Sequence, residues 1–252
     1  MGPAGVISPR VRSIWLGSLC LLALGARAGD LAAAPAEKVI LLHGLGRTDA
    51  SMQLLADRLS AAGFETHNIR YPSLDLEFEE IVDYIGSEID TCCADAERLH
   101  FVTHSLGGIL VRAYAAKHPP QNLGRVVMLA PPNHGSEYVD AMQDWTLFRQ
   151  AAGPTGALLG TGADSLPNRL PLPEFEFGVI AGTSNYNPIS EHVIPGASDG
   201  TVSVESTQLE GMSDFTTVDE NHTFIMRSPL VAELTIAFLR DGRFTQPNAE
   251  TR

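Results

Sequence analysis

Short apolar runs alternate along the chain with longer stretches in which apolar residues recur every three or four positions. "KVILLHGLG" is an apolar run ending in Gly. "SMQLLADRLSAAGF" follows, with Met52, Leu55 and Leu59 at helical spacing and Gly63 as a stop. "ETHNIRY" predicts a second strand, closed by Pro72. Phe78, Ile81, Val82, Ile85, Ile89 and Cys92 then mark one face of a helix. "LHFVTH" predicts a third strand and "GGILVRAYAAKHPP" a helix, with Lys117 and His118 in its last turn and Pro119 and Pro120 behind it. "RVVMLA", "EFGVIAGT" and "DFTTVD" predict the fourth to sixth strands, and "PLVAELTIAFL" the last helix. Strands alternating with helices imply βαβ units, a mostly parallel sheet of about six strands, and helices on both faces. The strands are continuously apolar, as they must be when both faces are covered. In such sheets ligands bind at the carboxyl ends of the strands.

Two regions break the rhythm. From about Glu137 to Glu174, Trp145, Phe148, Leu158, Leu159, Leu166, Leu170 and Leu172 stand among Gly and Pro. That is too long for a simple connection. It predicts an insertion over the strand ends that opens with one amphipathic helix. It serves either as a cap lining an apolar pocket or as a packing helix with a solvated loop. At the N-terminus, Arg10 and Arg12 precede "SIWLGSLCLLALG", and "ARA" ends at Ala28. A basic flank, a short apolar run and small residues form a secretory signal over residues 1–28. An α/β domain then occupies 29–252, and the protein is expected to be secreted or periplasmic. An uncleaved anchor and a lipid-modified Cys20 are the rival readings.

The 252 residues, 44% hydrophobic and 19% charged, suffice for one sizeable core. Cleavage after Ala28 removes Arg10, Arg12 and Arg27 but no acid, taking the formal charge from −13 to −16. No basic patch remains, which argues against a nucleic-acid partner. The mature chain keeps only Cys92 and Cys93. On a helix they point about 100° apart. The expectation is therefore Cys92 packed in the core rather than a vicinal disulfide.

Two strings compete for a catalytic serine. "GASDG", Gly196 to Gly200, matches Gly-x-Ser-x-Gly perfectly. "THSLGG", from Thr103, has Thr where the pattern has Gly. The motif needs a strand before it, a helix after it and a sharp turn between. "GASDG" follows Pro195 and precedes "TVSVEST", whose β-branched residues predict extended chain, so Ser198 lies in an ordinary loop. "THSLGG" has "LHFV" before it and "ILVRAYAAKH" after it. Gly107 and Gly108 are small where the turn crowds, and Thr103 is compact. The helix N-terminus directs its N–H groups at Ser105.

A hydroxyl needs a base, and the base an orienting acid. Of the histidines after Ser105, His222 in "DENHTF" lies between the last strand and the last helix, where a loop can bring a base to the nucleophile. His118, His134 and His192 are placed less well. The acid is expected after the fifth strand, where Asp199 sits in "SDGTV". Asp164 and Asp219 are weaker candidates. An oxyanion hole requires the N–H of the residue after the serine, Leu106, and one from the first strand's exit loop "HGLG", where Leu45 is the donor. His43 braces that loop.

With "LLHGLG", "VTHSLGG", "PPNHGSE", "SDGTV" and "NHTFIM" in this order, the chain resembles α/β-hydrolases, most of all bacterial secreted lipases and esterases, from about Glu37 to Leu239. The resemblance implies an α/β-hydrolase fold and a serine hydrolase with Ser105, Asp199 and His222 as triad. It also implies a small-molecule ester or lipid as substrate, and is compatible with contact to a membrane surface or lipid interface. Thioesterase, amide hydrolase and acyltransferase use the same residues. A non-catalytic envelope binding protein is the alternative of another class. Some lipases of this group bind calcium through an Asp two residues after the catalytic His. That position is Phe224 here, so neither metal nor cofactor is expected.

Overall fold

A computed structural model describes residues 1–2, 5 and 37–245. Apart from residues 1, 2 and 5, the signal sequence, Cys20 included, lies outside the described residues. Six strands form one sheet: β1 (Glu37–Leu42), β2 (Glu65–Ile69), β3 (Arg98–His104), β4 (Leu123–Leu129), β5 (Phe177–Gly182) and β6 (Asp214–Val218). Every pair is parallel, in the order β2-β1-β3-β4-β5-β6. The fold class expected from the hydrophobic pattern is the one observed.

Alternate residues of the central strands feed two cores. Ile40, Leu42, Phe101, Val126 and Met128 pack with α2 (Phe78–Cys92) and α3 (Leu106–Lys117). Val39, Leu41, Val102, Val127 and Leu129 pack with α1 (Gln53–Ala61) and α8 (Pro229–Asp241). This two-sided burial is why the strands show no polar alternation. Each fully buried Leu, Ile or Phe contributes about 1.5–3 kcal/mol, so the central strands supply much of the hydrophobic stabilisation.

The insertion contains α4 (Glu137–Met142), α5 (Thr146–Gly156) and α6 (Leu166–Arg169), not one leading helix. Gly153, with φ 64° and ψ −174°, breaks α5, and Pro154 starts its last turn. That break brings the backbone against the exit loops of β1 and β2. A Cβ on Gly153 would lie within 3 Å of Leu74 atoms, Thr155 Oγ1 donates to Leu76 O at 3.3 Å, and Gly156 abuts Leu45. From the other side, Arg112 of α3 donates to the carbonyls of Pro167 and Leu170. Burial with only neutral acceptors lowers its pKa to about 10.

Two local expectations are corrected. "TVSVEST" is not extended. Val204–Thr207 forms a short helix, α7, because Ser203 Oγ caps it by accepting the Ser206 N–H at 3.1 Å. Cys92 and Cys93 are joined in a disulfide, and Cys93, not Cys92, is the more buried. The helix ends at Cys92 and Cys93 leaves it (φ −135°, ψ 15°), so the 100° helical rotation does not separate the two.

Candidate active site

Ser105 joins β3 to α3 in a conformation that side chains rarely adopt, φ 52° and ψ −119°. Only one other non-Gly residue among those described has positive φ, Ala130, just past neighbouring β4. The strain persists because the turn is fixed on both sides. Ser105 N–H donates to Leu129 O at 2.9 Å, and Gly108 N–H donates to Ser105 O at 2.8 Å. Gly107 is obligatory: a Cβ there would lie 2.6 Å from Leu42 O. Thr103 is fully buried in β3, its Oγ1 3.5 Å from Val127 O and clear of Gly108. The position accommodates Thr because the closest main-chain approach falls at Gly107 against Leu42 O, not at Thr103.

The structure brings Ser105, His222 and Asp199 together. Ser105 Oγ is 3.0 Å from His222 Nε2, and His222 Nδ1 is 2.7 Å from Asp199 Oδ2. A carboxylate only accepts, so Nδ1 carries the proton and Nε2 is free to accept from the serine. Asp199 is 2% exposed, and its Oδ1 accepts from the N–H groups of Thr201 (3.0 Å) and Val202 (2.9 Å). Gly200, at φ +92°, allows the turn that supplies those N–H groups. The His222 N–H also donates to Asp199 O at 3.0 Å.

The second serine has no base. Ser198 Oγ accepts from Asn185 Nδ2 at 3.3 Å, so "GASDG" contributes Asp199 and not a second nucleophile. Three histidines lie elsewhere: His118 beside Asp83 (3.5 Å), His134 on Asn168 (3.0 Å) and His192 on Pro188 O (2.8 Å).

Leu106 opens α3 directly after Ser105, and Leu45 lies in the exit loop of β1. Neither N–H donates to another described residue. The loop approaches Ser105 closely, since a Cβ on Gly44 would lie 3.2 Å from Ser105 Cβ. His43 holds it. The ring stacks on Tyr71 with centroids 3.9 Å apart, Nδ1 donates to Gly44 O at 2.9 Å, and Nε2 accepts the Tyr71 N–H at 3.4 Å. Tyr71 Oη donates to His43 O, and Ser73 Oγ accepts the Gly46 N–H at 3.0 Å. Burial lowers the His43 pKa and keeps that ring neutral.

His104 adjoins the site without any motif that marks it. It is buried against His222, with ring centroids 4.9 Å apart. Its place just before Ser105 was the only available signal. No sequence pattern marks Tyr71 either, whose role lies in its stacking on His43.

A cavity of about 400 Å³ lies beside the β1 exit loop, lined by Gly46, Arg47, Tyr71, Ser73, Leu74 and Tyr84. A wider groove of about 760 Å³ lies at the opposite end of the sheet, among Arg98, Gly124, Arg125 and Glu176. Among the described residues no group of three or more His, Cys, Asp or Glu side chains is placed to hold a metal ion. Phe224 is about half exposed.

A sequence profile described as the alpha/beta hydrolase family matches residues 39–206. No curated protein matches the sequence significantly. Among solved structures, a Bacillus licheniformis lipase in its mature form is similar, with 17% identity and a TM-score of 0.67 over 82% of this chain and 93% of that one. A Legionella pneumophila phospholipase is 19% identical, TM-score 0.60, over 81% of this chain and 57% of the other. A metagenomic carboxyl esterase is 16% identical, TM-score 0.60, over 75% and 65%. At these identities the likeness is one of fold.

Proposed function

The chain belongs to the α/β hydrolase family, and from that premise we propose that it is a secreted serine hydrolase of carboxylic esters, a lipase or esterase. The observation that carries this reading is the hydrogen-bonded line Ser105–His222–Asp199, with two undonated N–H groups beside it.

His222 Nε2 takes the proton of Ser105 Oγ as the oxygen attacks the ester carbonyl. The carbonyl oxygen becomes an oxyanion and is held by the N–H groups of Leu45 and Leu106; such a donor contributes about 3–4 kcal/mol to the transition state. Asp199 stabilises the imidazolium and fixes its tautomer. His222 then returns the proton to the leaving alkoxide, which departs as the alcohol. Water, deprotonated by the same nitrogen, attacks the acyl-enzyme and releases the acid and free Ser105.

Esters are favoured as substrates because the insertion closes on the oxyanion loop, with α5 against the Leu45 side chain and the Leu74 main chain. The structural neighbours include a lipase, a phospholipase and a carboxyl esterase. Residues 137–174 act as the cap, and residues 1–28 direct export. Among the described residues no helix is long and apolar enough to cross a membrane.

A chain-length series of nitrophenyl esters, run beside the matching thioesters and anilides, tests this reading. The expected result is ester cleavage with a defined chain-length optimum. Faster cleavage of thioesters or anilides at every length, or no cleavage of any ester, overturns it.

A further inference from the structure

His104 is the last residue of β3, and its ring nitrogen Nε2 lies 2.9 Å from the main-chain carbonyl oxygen of His222. A carbonyl only accepts, so Nε2 carries the proton. The bond joins the strand that bears Ser105 to the loop that bears His222, and β4 and β5 lie between β3 and β6. The other nitrogen, Nδ1, is buried without a partner. It faces the β1 exit loop, where a Cβ on Gly44 would come within 2.8 Å of it. Leaving a buried acceptor unpaired costs free energy, and this ring accepts that cost while spending its single donor on the loop of the base.

We propose that His104 is a positioning residue for His222: as a neutral ring it clamps the main chain of the base to the strand of the nucleophile and so sets the Ser105–His222 distance. The inference rests on the triad reading above. It adds a third tie to His222, whose ring is held by Asp199 Oδ2 and whose N–H is held by Asp199 O. Without the clamp, the far side of the His222 backbone has no fixed anchor on β3. A misplacement near 1 Å costs about 100-fold in rate.

The surroundings keep the ring neutral, so its single proton stays on Nε2 and the clamp places no charge beside His222. A proton on Nδ1 would find no acceptor. The charged or titratable groups facing the ring are His222, Arg47 and His43, all cationic when protonated. Desolvation and then these neighbours hold the His104 pKa well below the ordinary histidine value. The ring therefore stays a single-proton donor while His222 changes charge during turnover.

The test compares His104→Phe, which keeps a flat ring without a donor, with His104→Gln, whose amide N–H reaches toward the position of Nε2. On a nitrophenyl ester, Phe is expected to lower kcat by about 10- to 100-fold with KM nearly unchanged. The low-field proton resonance of His222 Nδ1–H should broaden in the same variant. His104→Gln should recover most of both signals. A Phe variant with wild-type kcat and a sharp resonance overturns the proposal, as does a Gln variant that loses as much as Phe. If Phe does not fold, Gln is compared with His104→Asn, whose shorter amide falls short of Nε2. Equal activities and resonances in that pair overturn the proposal, and a defect confined to Asn supports it. The resonance needs no turnover, so it reports on the clamp even if the ester-hydrolase reading fails.

Discussion

Asp199 and His222 are joined twice, side chain to side chain at 2.7 Å and main chain to main chain at 3.0 Å. The other carboxylate oxygen is occupied by the N–H groups of Thr201 and Val202. In Asp199→Asn those two donors select the amide oxygen, leaving the NH₂ to face His222. The imidazole must then accept at Nδ1 and carry its proton on Nε2, where it cannot take one from Ser105. The expected result is a kcat lower by about 10³- to 10⁴-fold with little change in melting temperature. Steady-state kinetics and a circular-dichroism melt on the same preparation check it.

Thr103 stands where the serine motif usually has Gly, yet its side chain is buried without a close clash and lies 3.5 Å from Val127 O. Thr103→Gly is therefore expected to remove packing and β-propensity rather than relieve strain. Stability should fall by about 1–2 kcal/mol with kcat almost unchanged. Urea denaturation measures the first and ester hydrolysis the second.

Gly107 is the opposite case. The Cβ of Gly107→Ala would sit 2.6 Å from Leu42 O, and neither backbone can move without shifting β1 or α3. A loss of about 2–4 kcal/mol is expected, together with reduced activity because Ser105 shares the turn. Chemical denaturation with parallel kinetics would detect both.

Stability should also depend on pH through buried histidines. His43, His100 and His104 all have pKa values below the ordinary 6.5, in each case chiefly through desolvation. The unfolded chain binds protons there that the native state excludes. Their stabilisation is complete above pH 6.5 and declines as pH falls below it, by at most about 1.4 kcal/mol per pH unit per histidine. Urea midpoints from pH 7.5 to 5 should fall steadily; a flat profile would contradict the buried, neutral rings.

The fold was legible because both faces of the sheet are covered, which writes β1, β3, β4 and β5 as plain apolar runs. The meeting of Ser105, Asp199 and His222 followed from topology, since loops at the carboxyl ends of a parallel sheet converge. What stayed hidden depended on main-chain partners. Ser203 turns "TVSVEST" into a helix with one capping bond, and Cys93 departs from helical geometry by a single residue. His104 bonds to a carbonyl 118 residues away, a link that no spacing encodes.

The proposed chemistry begins at Ser105. A fluorophosphonate probe followed by peptide mass mapping, on the intact protein and on Ser105→Ala, measures this most directly. One adduct per chain is expected, on Ser105, with labelling abolished and ester hydrolysis lowered by about 10⁴-fold or more in the variant. A label on Ser198, or a Ser105→Ala protein that hydrolyses esters at the original rate, would contradict it.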